Sequence, residues 1–388
     1  MKTGIICFSL RGCETAEQIG QDLAKQGHEI RLAKKSRYIQ DAEPVNVDDW
    51  TREQFSWADH IIFVGACGIA VRHIAPYIRS KKQDPAVLVV DECGTFVISL
   101  LSGHLGGANE LAHQVAALLG AIPVVTTATD LHHCFAVDVF ARKNHCEILN
   151  MQVAKEVSTA LLAGKKVGFY SEFTWEGSLP EGLVLCGADG VPIEVKEELE
   201  AAAKYRELGA DQAAKSESDE SLRKTEKEKN GRTRCELGIA VTVHRDCRPF
   251  SSTVTIVPPV IVLGMGCRRE KEPEAIQQAA LAAVKQKGIY LQALAKLTSI
   301  DLKKDEKGLI ALAEAWKLPF ETYREAELRQ IQGTFSTSSF VQSVTGVDNV
   351  CERSAVCGSA GGKLIQKKIG RDGVTTALAQ KEWRIHFE

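Results

Sequence analysis

Over the first 140 residues, short apolar runs alternate with longer stretches of helical spacing, the pattern of βαβ units feeding a largely parallel sheet. Gly4 to Phe8 reads as a first strand, Glu14 to Lys25 as a helix and His28 to Leu32 as a second strand, with Gly27 in the turn. His60 to Gly65 begins another unit, whose helix opens at Gly68 and runs to Ile78. Ala86 to Val90 and Thr95 to Leu101 flank Asp91, Glu92, Cys93 and Gly94, a spacing that suits two strands joined by a tight turn with glycine at positive φ. A Gly-rich loop, Gly103 to Gly107, then leads into a helix from Ala108 to Leu119. A strand from Ile122 to Val125 follows and runs into Thr126, Thr127, Ala128, Thr129 and Asp130.

Patterning weakens between residues 141 and 255, where strand-like runs at Val167 to Tyr170, Leu183 to Leu185 and Ile239 to Val243 predict a small α+β middle domain. Within it, Glu194 to Arg234 is rich in Lys, Glu, Ala and Ser, and reads as an exposed helix and a flexible segment, an insertion or linker. After Pro258 and Pro259, Val260 to Leu263 is a buried-type strand that leads through Gly264, Met265, Gly266 and Cys267 to a helix near Pro273, where a missing N–H costs nothing. Helices near Asp305 to Trp316 and Ser338 to Val344, with strands at Lys363 to Gln366 and Arg384 to Phe387, complete a compact C-terminal α/β domain. The expected division is 1–140, 141–255 and 256–388, without internal repeats.

Composition narrows the function classes. A chain of 388 residues exceeds the ~250–300 at which one core stops growing. With 44% apolar and 25% charged residues it has the make-up of a globular protein. A formal net charge of −2 supplies no field for nucleic acid or an anionic membrane. The twelve cysteines are scattered without CxxC pairs, which fits reduced thiols. Ile5 to Phe8 is too short for a signal-peptide core and no run of ~18 apolar residues exists, so a soluble cytoplasmic protein is expected. Its oligomeric state is left open.

The candidate chemistry gathers around Ser102, Gly103, His104, Leu105, Gly106, Gly107, Ala108 and Asn109, which link a strand end to a helix start, where backbone N–H groups favour an anion. It is neither a dinucleotide fingerprint nor a P-loop. A tight turn is the plain alternative. His104 is suited to accept or donate a proton near neutral pH, or else to hold the loop. Asp91 and Glu92 are expected on the same sheet edge, where a carboxylate would activate water or orient His104 while the loop amides stabilise an oxyanion. His132, His133 and Cys134 lack the partners of a zinc site, and no metal is expected. Arg72, Arg79, Lys81 and Lys82, with Arg268, Arg269, Lys303 and Lys304, are jointly able to hold several carboxylates. Asp348 or Asn349 reads equally well as a helix N-cap.

Several of these segments are familiar. Gly68-Ile-Ala-Val-Arg72, Lys82 through Asp84-Pro85-Ala86-Val87, Asp91-Glu92, Ser102 to Asn109 and Thr126-Thr-Ala-Thr-Asp130 resemble the cobalt-precorrin-5A hydrolase, or CbiG, family. Gly264-Met-Gly-Cys-Arg268, Ser299-Ile-Asp-Leu-Lys303, Glu306 and Gly346-Val-Asp-Asn-Val-Cys-Glu352 resemble its C-terminal domain, which is also similar to stand-alone CobE proteins. Two features depart from the family pattern: Glu270 follows the arginine pair where glycine is expected, and the charged stretch from Glu194 to Arg234 is long.

The resemblance implies opening of the ring A δ-lactone of a cobalt-corrinoid and loss of acetaldehyde, with the cobalt carried by the substrate and no separate cofactor. The carboxylate pair and the loop histidine read above suit its first step, so Glu92, His104 and Asp91 are the candidate catalytic residues. Arg72, Lys82, Ser102, Gly103, Gly106, Gly107, Asn109, Thr126, Thr127 and Asp130 become candidate substrate contacts. In the last domain Gly266, Cys267, Arg268, Lys303, Asp348, Asn349 and Glu352 join them. The expected partner is this small molecule, with no nucleic acid or membrane and at most transient contact with neighbouring pathway enzymes. A non-catalytic corrinoid carrier, or a phosphate-ester enzyme using the same loop, would carry similar features.

Overall fold

The computed structural model describes residues 1–38, 44–80, 83–104, 106–132, 134–193 and 233–387. Lys81, Lys82, Leu105, His133 and residues 194–232 of the charged stretch lie outside them. The chain divides into two compact units, Met1–Val139 and Phe140–Glu388.

The first unit is built on six strands: β1 (Lys2–Cys7), β2 (Glu29–Lys34), β3 (His60–Val64), β4 (Ala86–Val90), β5 (Phe96–Leu101) and β6 (Ile122–Val124), in the order β2-β1-β3-β4-β5-β6. β3 and β4 are buried along their whole length, because helices cover both faces, and such strands read as unbroken apolar runs rather than as an alternation. Helix α1 (Leu10–Lys25) buries Ala16, Ile19, Gly20 and Leu23 at helical spacing. It packs with Leu111, Ala112 and Val115 of the helix Ala108–Leu119 around Ile5, Leu88 and Val90. Val47–Trp57, a helix the sequence reading missed, covers the other face by packing Trp50 edge-on to Phe63, 5.8 Å between ring centroids.

Strand direction decides where loops open. β1 to β4 are parallel, β5 is antiparallel to β4, and β6 is parallel to β5. The ends of β5 and β6 therefore open on the edge where β4 begins, as the hydrogen bond from Ser102 Oγ to the Asp84 carbonyl at 3.1 Å shows.

The second unit holds two five-stranded sheets. One comprises β7 (Glu147–Ile148), β8 (Val167–Ser171), β10 (Leu183–Leu185), β11 (Leu237–Val241) and β12 (Ser252–Val257), ordered β10-β8-β11-β12-β7 and parallel apart from β7. The other comprises β13 (Ile261–Cys267), β14 (Leu294–Ile300), β15 (Phe320–Tyr323), β16 (Lys363–Arg371) and β17 (Val374–Gln380), ordered β15-β14-β13-β17-β16. β18 (Ile385–His386) leaves the last sheet and pairs with β9 (Trp175–Glu176). There Asn144 clamps His386 through its side-chain amide, donating to the carbonyl and accepting from the N–H, each at 2.8 Å.

Glu270, placed where a glycine was expected, has φ of 53°, in the left-handed region. A side chain there costs about 1–2 kcal/mol that glycine does not, offset in part by glycine's freer unfolded chain. Glu270→Gly should raise the melting temperature by about 1–3 °C, and a fall on thermal unfolding would contradict this. Among the described residues no helix is long and apolar enough to cross a membrane.

Candidate active site at the ends of strands β5 and β6

Polar side chains converge where β5 and β6 end. His104 projects from the loop after β5, and its Nε2 lies 2.7 Å from Asp130 Oδ2 and 3.1 Å from Thr129 Oγ1. Its Nδ1 lies 3.3 Å from Asp138 Oδ1. Asn109, in the first turn of the following helix, donates through Nδ2 to Thr127 Oγ1 and to Asp130 Oδ2, each at 2.9 Å, and accepts from Ser99 Oγ at 2.6 Å. The imidazole is 13% exposed, whereas Asp130 remains 39% exposed and so faces solvent more than its counterpart Asp138.

A ring between two carboxylates is held charged. The hydrogen bond to Asp138 does most to raise the His104 pKa, burial opposes it, and Asp130 adds to the rise. The rise favours the charged form and so disposes this histidine to donate a proton rather than to take one up.

The glycines of the loop serve its own closure. A Cβ on Gly103 would stand 2.7 Å from Asn109 Oδ1, and one on Gly106 would stand 2.4 Å from Ser102 Cβ. The amides of Gly107, Ala108 and Asn109 already donate to the carbonyls of His104, Ser102 and Gly103. Of the loop amides expected to stabilise an oxyanion, that of Gly107 is thus already committed to the loop's own closure. Thr126 is exposed beside the cluster.

Asp91 and Glu92 are not part of this cluster. They follow β4 at the opposite edge of the sheet, and a six-residue strand separates the two edges by roughly 20 Å. No water can bridge Glu92 and His104. Asp91 uses both carboxylate oxygens on its own turn, accepting from the N–H groups of Cys93 at 3.0 Å, Thr95 at 2.8 Å and Phe96 at 2.5 Å. Its role is to shape the hairpin. Glu92 is exposed and accepts from Ser9 Oγ at 2.6 Å, close to where the winding of the sheet reverses between β1 and β3. Arg72, on the helix that leaves that edge after β3, is exposed. Glu92→Gln is therefore expected to keep turnover within about threefold of wild type, below the 10²–10⁴ of a lost proton donor. A larger loss in a steady-state assay would return the chemistry to that edge.

The residues singled out in the last domain serve mostly as structure. Glu352 is fully buried, its carboxylate accepting from Ser336 N at 2.8 Å, Ser336 Oγ at 2.7 Å and Lys368 N at 2.6 Å. Asn349 accepts from the Glu352 N–H at 2.9 Å, the N-cap alternative, and donates to the Ser336 carbonyl. Asp348 grips Arg353 at 2.6 Å, and that guanidinium holds its carboxyl below the usual range. Glu352 and Asn349 are buried, whereas Asp348 is partly exposed. Cys267 and Lys303 lie at the shared end of β13 and β14, where Lys303 pairs with Glu306 at 2.8 Å. Burial pushes the Cys267 thiol up to about 11, so it is no thiolate nucleophile. Arg268 is exposed, and Gly266 gives its carbonyl to Thr375 Oγ1 at 3.2 Å.

The sequence reading missed Ser99, Thr129 and Asp138. Thr129 stands one residue from the chosen Asp130, but Asp138 belongs to the next helix, Val137–Lys143, and only the fold returns it to His104.

Residues 49–130 match the family described as Cobalamin synthesis G N-terminal, residues 135–258 the Cobalamin biosynthesis central region, and residues 261–379 the Cobalamin synthesis G C-terminus. The chain is 33% identical to a protein of Salmonella typhimurium named cobalt-precorrin-5A hydrolase, over 84% of this chain and 83% of that one. It is 28% identical to one of the same name from Priestia megaterium, over 82% and 78%. Its last part is 30% identical to Protein CobE from Sinorhizobium sp. over 121 residues, 31% of this chain and 79% of the other. With three segment families following one another in order and a relative one-third identical across most of both chains, the chain belongs to the CbiG family, enzymes of cobalamin biosynthesis.

Proposed function

We propose that the chain is a cobalt-precorrin-5A hydrolase, opening the ring A δ-lactone and releasing the former bridge carbon with its methyl group as acetaldehyde to leave cobalt-precorrin-5B. The observation that carries this reading is the match to proteins of that name over more than four-fifths of the chain. Water adds to the lactone carbonyl, the acyl C–O bond breaks, and a carboxylic acid and an alcohol result. Loss of the alcohol proton then breaks the adjacent C–C bond in a retro-aldol sense, and the electron pair enters the conjugated macrocycle, which takes up a proton. One water is consumed and one acetaldehyde leaves.

Each stage needs a proton delivered and a proton received. In this reading His104 gives its proton to the departing lactone oxygen, Asp130 receives that of the attacking water, and Asp138 keeps the ring charged and oriented. Cobalt enters with the substrate, and the balanced equation needs no further cofactor. The test is anaerobic incubation with cobalt-precorrin-5A, with acetaldehyde trapped and the corrinoid followed by mass spectrometry. Acetaldehyde in equal amount to a product one water heavier and one acetaldehyde lighter is the expected result. Tight binding without either product would overturn it in favour of a carrier.

A further inference from the structure

The sheet that contains β8 and β11 has a place the reaction above does not use. β8 connects onward to β10 on one side and β11 to β12 on the other, so the winding reverses between β8 and β11. In open parallel sheets the crevice outside the strand ends at such a reversal is where ligands bind. The residues that follow these two strands meet there. His244 Nδ1 lies 3.0 Å from Glu172 Oε1, while Glu172 Oε2 accepts the Val243 N–H at 3.2 Å. One carboxylate thus fixes both the ring and the turn that carries it.

With Nδ1 held by Glu172, the other ring nitrogen, Nε2, has no hydrogen-bond partner among the described residues, and the imidazole side chain stays 45% exposed. Glu172 does most to hold the ring charged, against its partial burial. Lys287 and Asp246 also act on the ring. Arg245, next along the chain, donates through Nε to the Ile289 carbonyl at 3.0 Å, with its guanidinium 5.8 Å from the Tyr290 ring. Three cations stand against two carboxylates.

We propose that Glu172 and His244 form a carboxylate-binding site, with His244 Nε2–H as the donor and Glu172 as the positioning residue. A charge-assisted bond from an imidazolium to a carboxylate is short and strong, and a single directed donor suits one carboxylate better than a phosphate with three oxygens to satisfy. The inference rests on the proposed function in one respect: the acetate and propionate arms of a corrinoid are the carboxylates it would take.

The test uses the full chain with isotope-labelled histidine and the small tricarboxylate tricarballylate as probe, at constant ionic strength against chloride. The His244 ring resonances should shift saturably with tricarballylate and not with chloride. Glu172→Gln should lower the pH midpoint of His244 and weaken tricarballylate about tenfold, and His244→Gln should raise the KM for cobalt-precorrin-5A about tenfold at unchanged kcat. A ring that responds no more to tricarballylate than to chloride overturns the site, whether or not acetaldehyde is released. A saturable shift in a chain that releases no acetaldehyde rejects the hydrolase reading and keeps the site for another carboxylic acid.

Discussion

His104→Gln should lower turnover by roughly two to four orders of magnitude, the usual worth of a positioned proton donor, or about 3–5 kcal/mol of transition-state stabilisation. Glutamine keeps a polar side chain of similar reach for Asp130 and Thr129 but has no proton to transfer. KM should move little. The pH profile gives the sharper evidence. The flanking carboxylates raise His104 above its ordinary value of 6.5, so the active protonated form is full below that value and is lost as pH rises through the higher one. The charge pairing stabilises the fold over the same window, present below the unfolded value and lost on the alkaline side. Asp138→Asn removes the largest cause of the rise, so the alkaline limb should move to lower pH. A profile that does not move would separate Asp138 from the chemistry.

Glu352→Ala should be the most damaging single change to stability. Three donors, two of them backbone N–H groups, would be left facing an empty space inside the domain, at about 1–3 kcal/mol for each unsatisfied group. Allowing for relaxation, a loss of about 3–5 kcal/mol is expected, or a melting point lower by roughly 10 °C or more. Glu352→Gln keeps an acceptor oxygen and should fall between. Circular dichroism on heating decides it, and an alanine variant within 2 °C of wild type would mean that the carboxylate contributes nothing net.

The contrast between these two residues shows what a sequence can disclose. His104 and its loop stand out in the chain itself, because turn glycines and a polar residue at a strand end are local features, whereas Asn109, Thr127 and Asp130 enter as site residues through the family resemblance. Asp348, Asn349 and Glu352 enter through the same resemblance, and in the structure their polar atoms bond within their own domain, since a polar loop looks alike whether it faces a ligand or caps a helix. Burial separates the two cases, and burial is not local. The hairpin joining β4 and β5 is equally legible in the chain. Reversing one strand carries Ser102 and His104 to the far edge from Glu92, although ten residues separate Glu92 from Ser102 in sequence. Central strands β14 and β17 are hard to read in the chain because Lys296 interrupts the first, and two threonines and a glutamine dilute the second.

The clamp between Asn144 and His386 joins residues 242 positions apart. Closing so long a loop is slow, and contacts of this kind lower folding rates by demanding chain entropy before any stabilisation is returned. During synthesis β9 emerges early and waits for its partner β18 until almost the whole described chain has been made. The second unit therefore cannot finish piecewise from one end to the other. Its two sheets should be locked together late, after the last strand has left the ribosome.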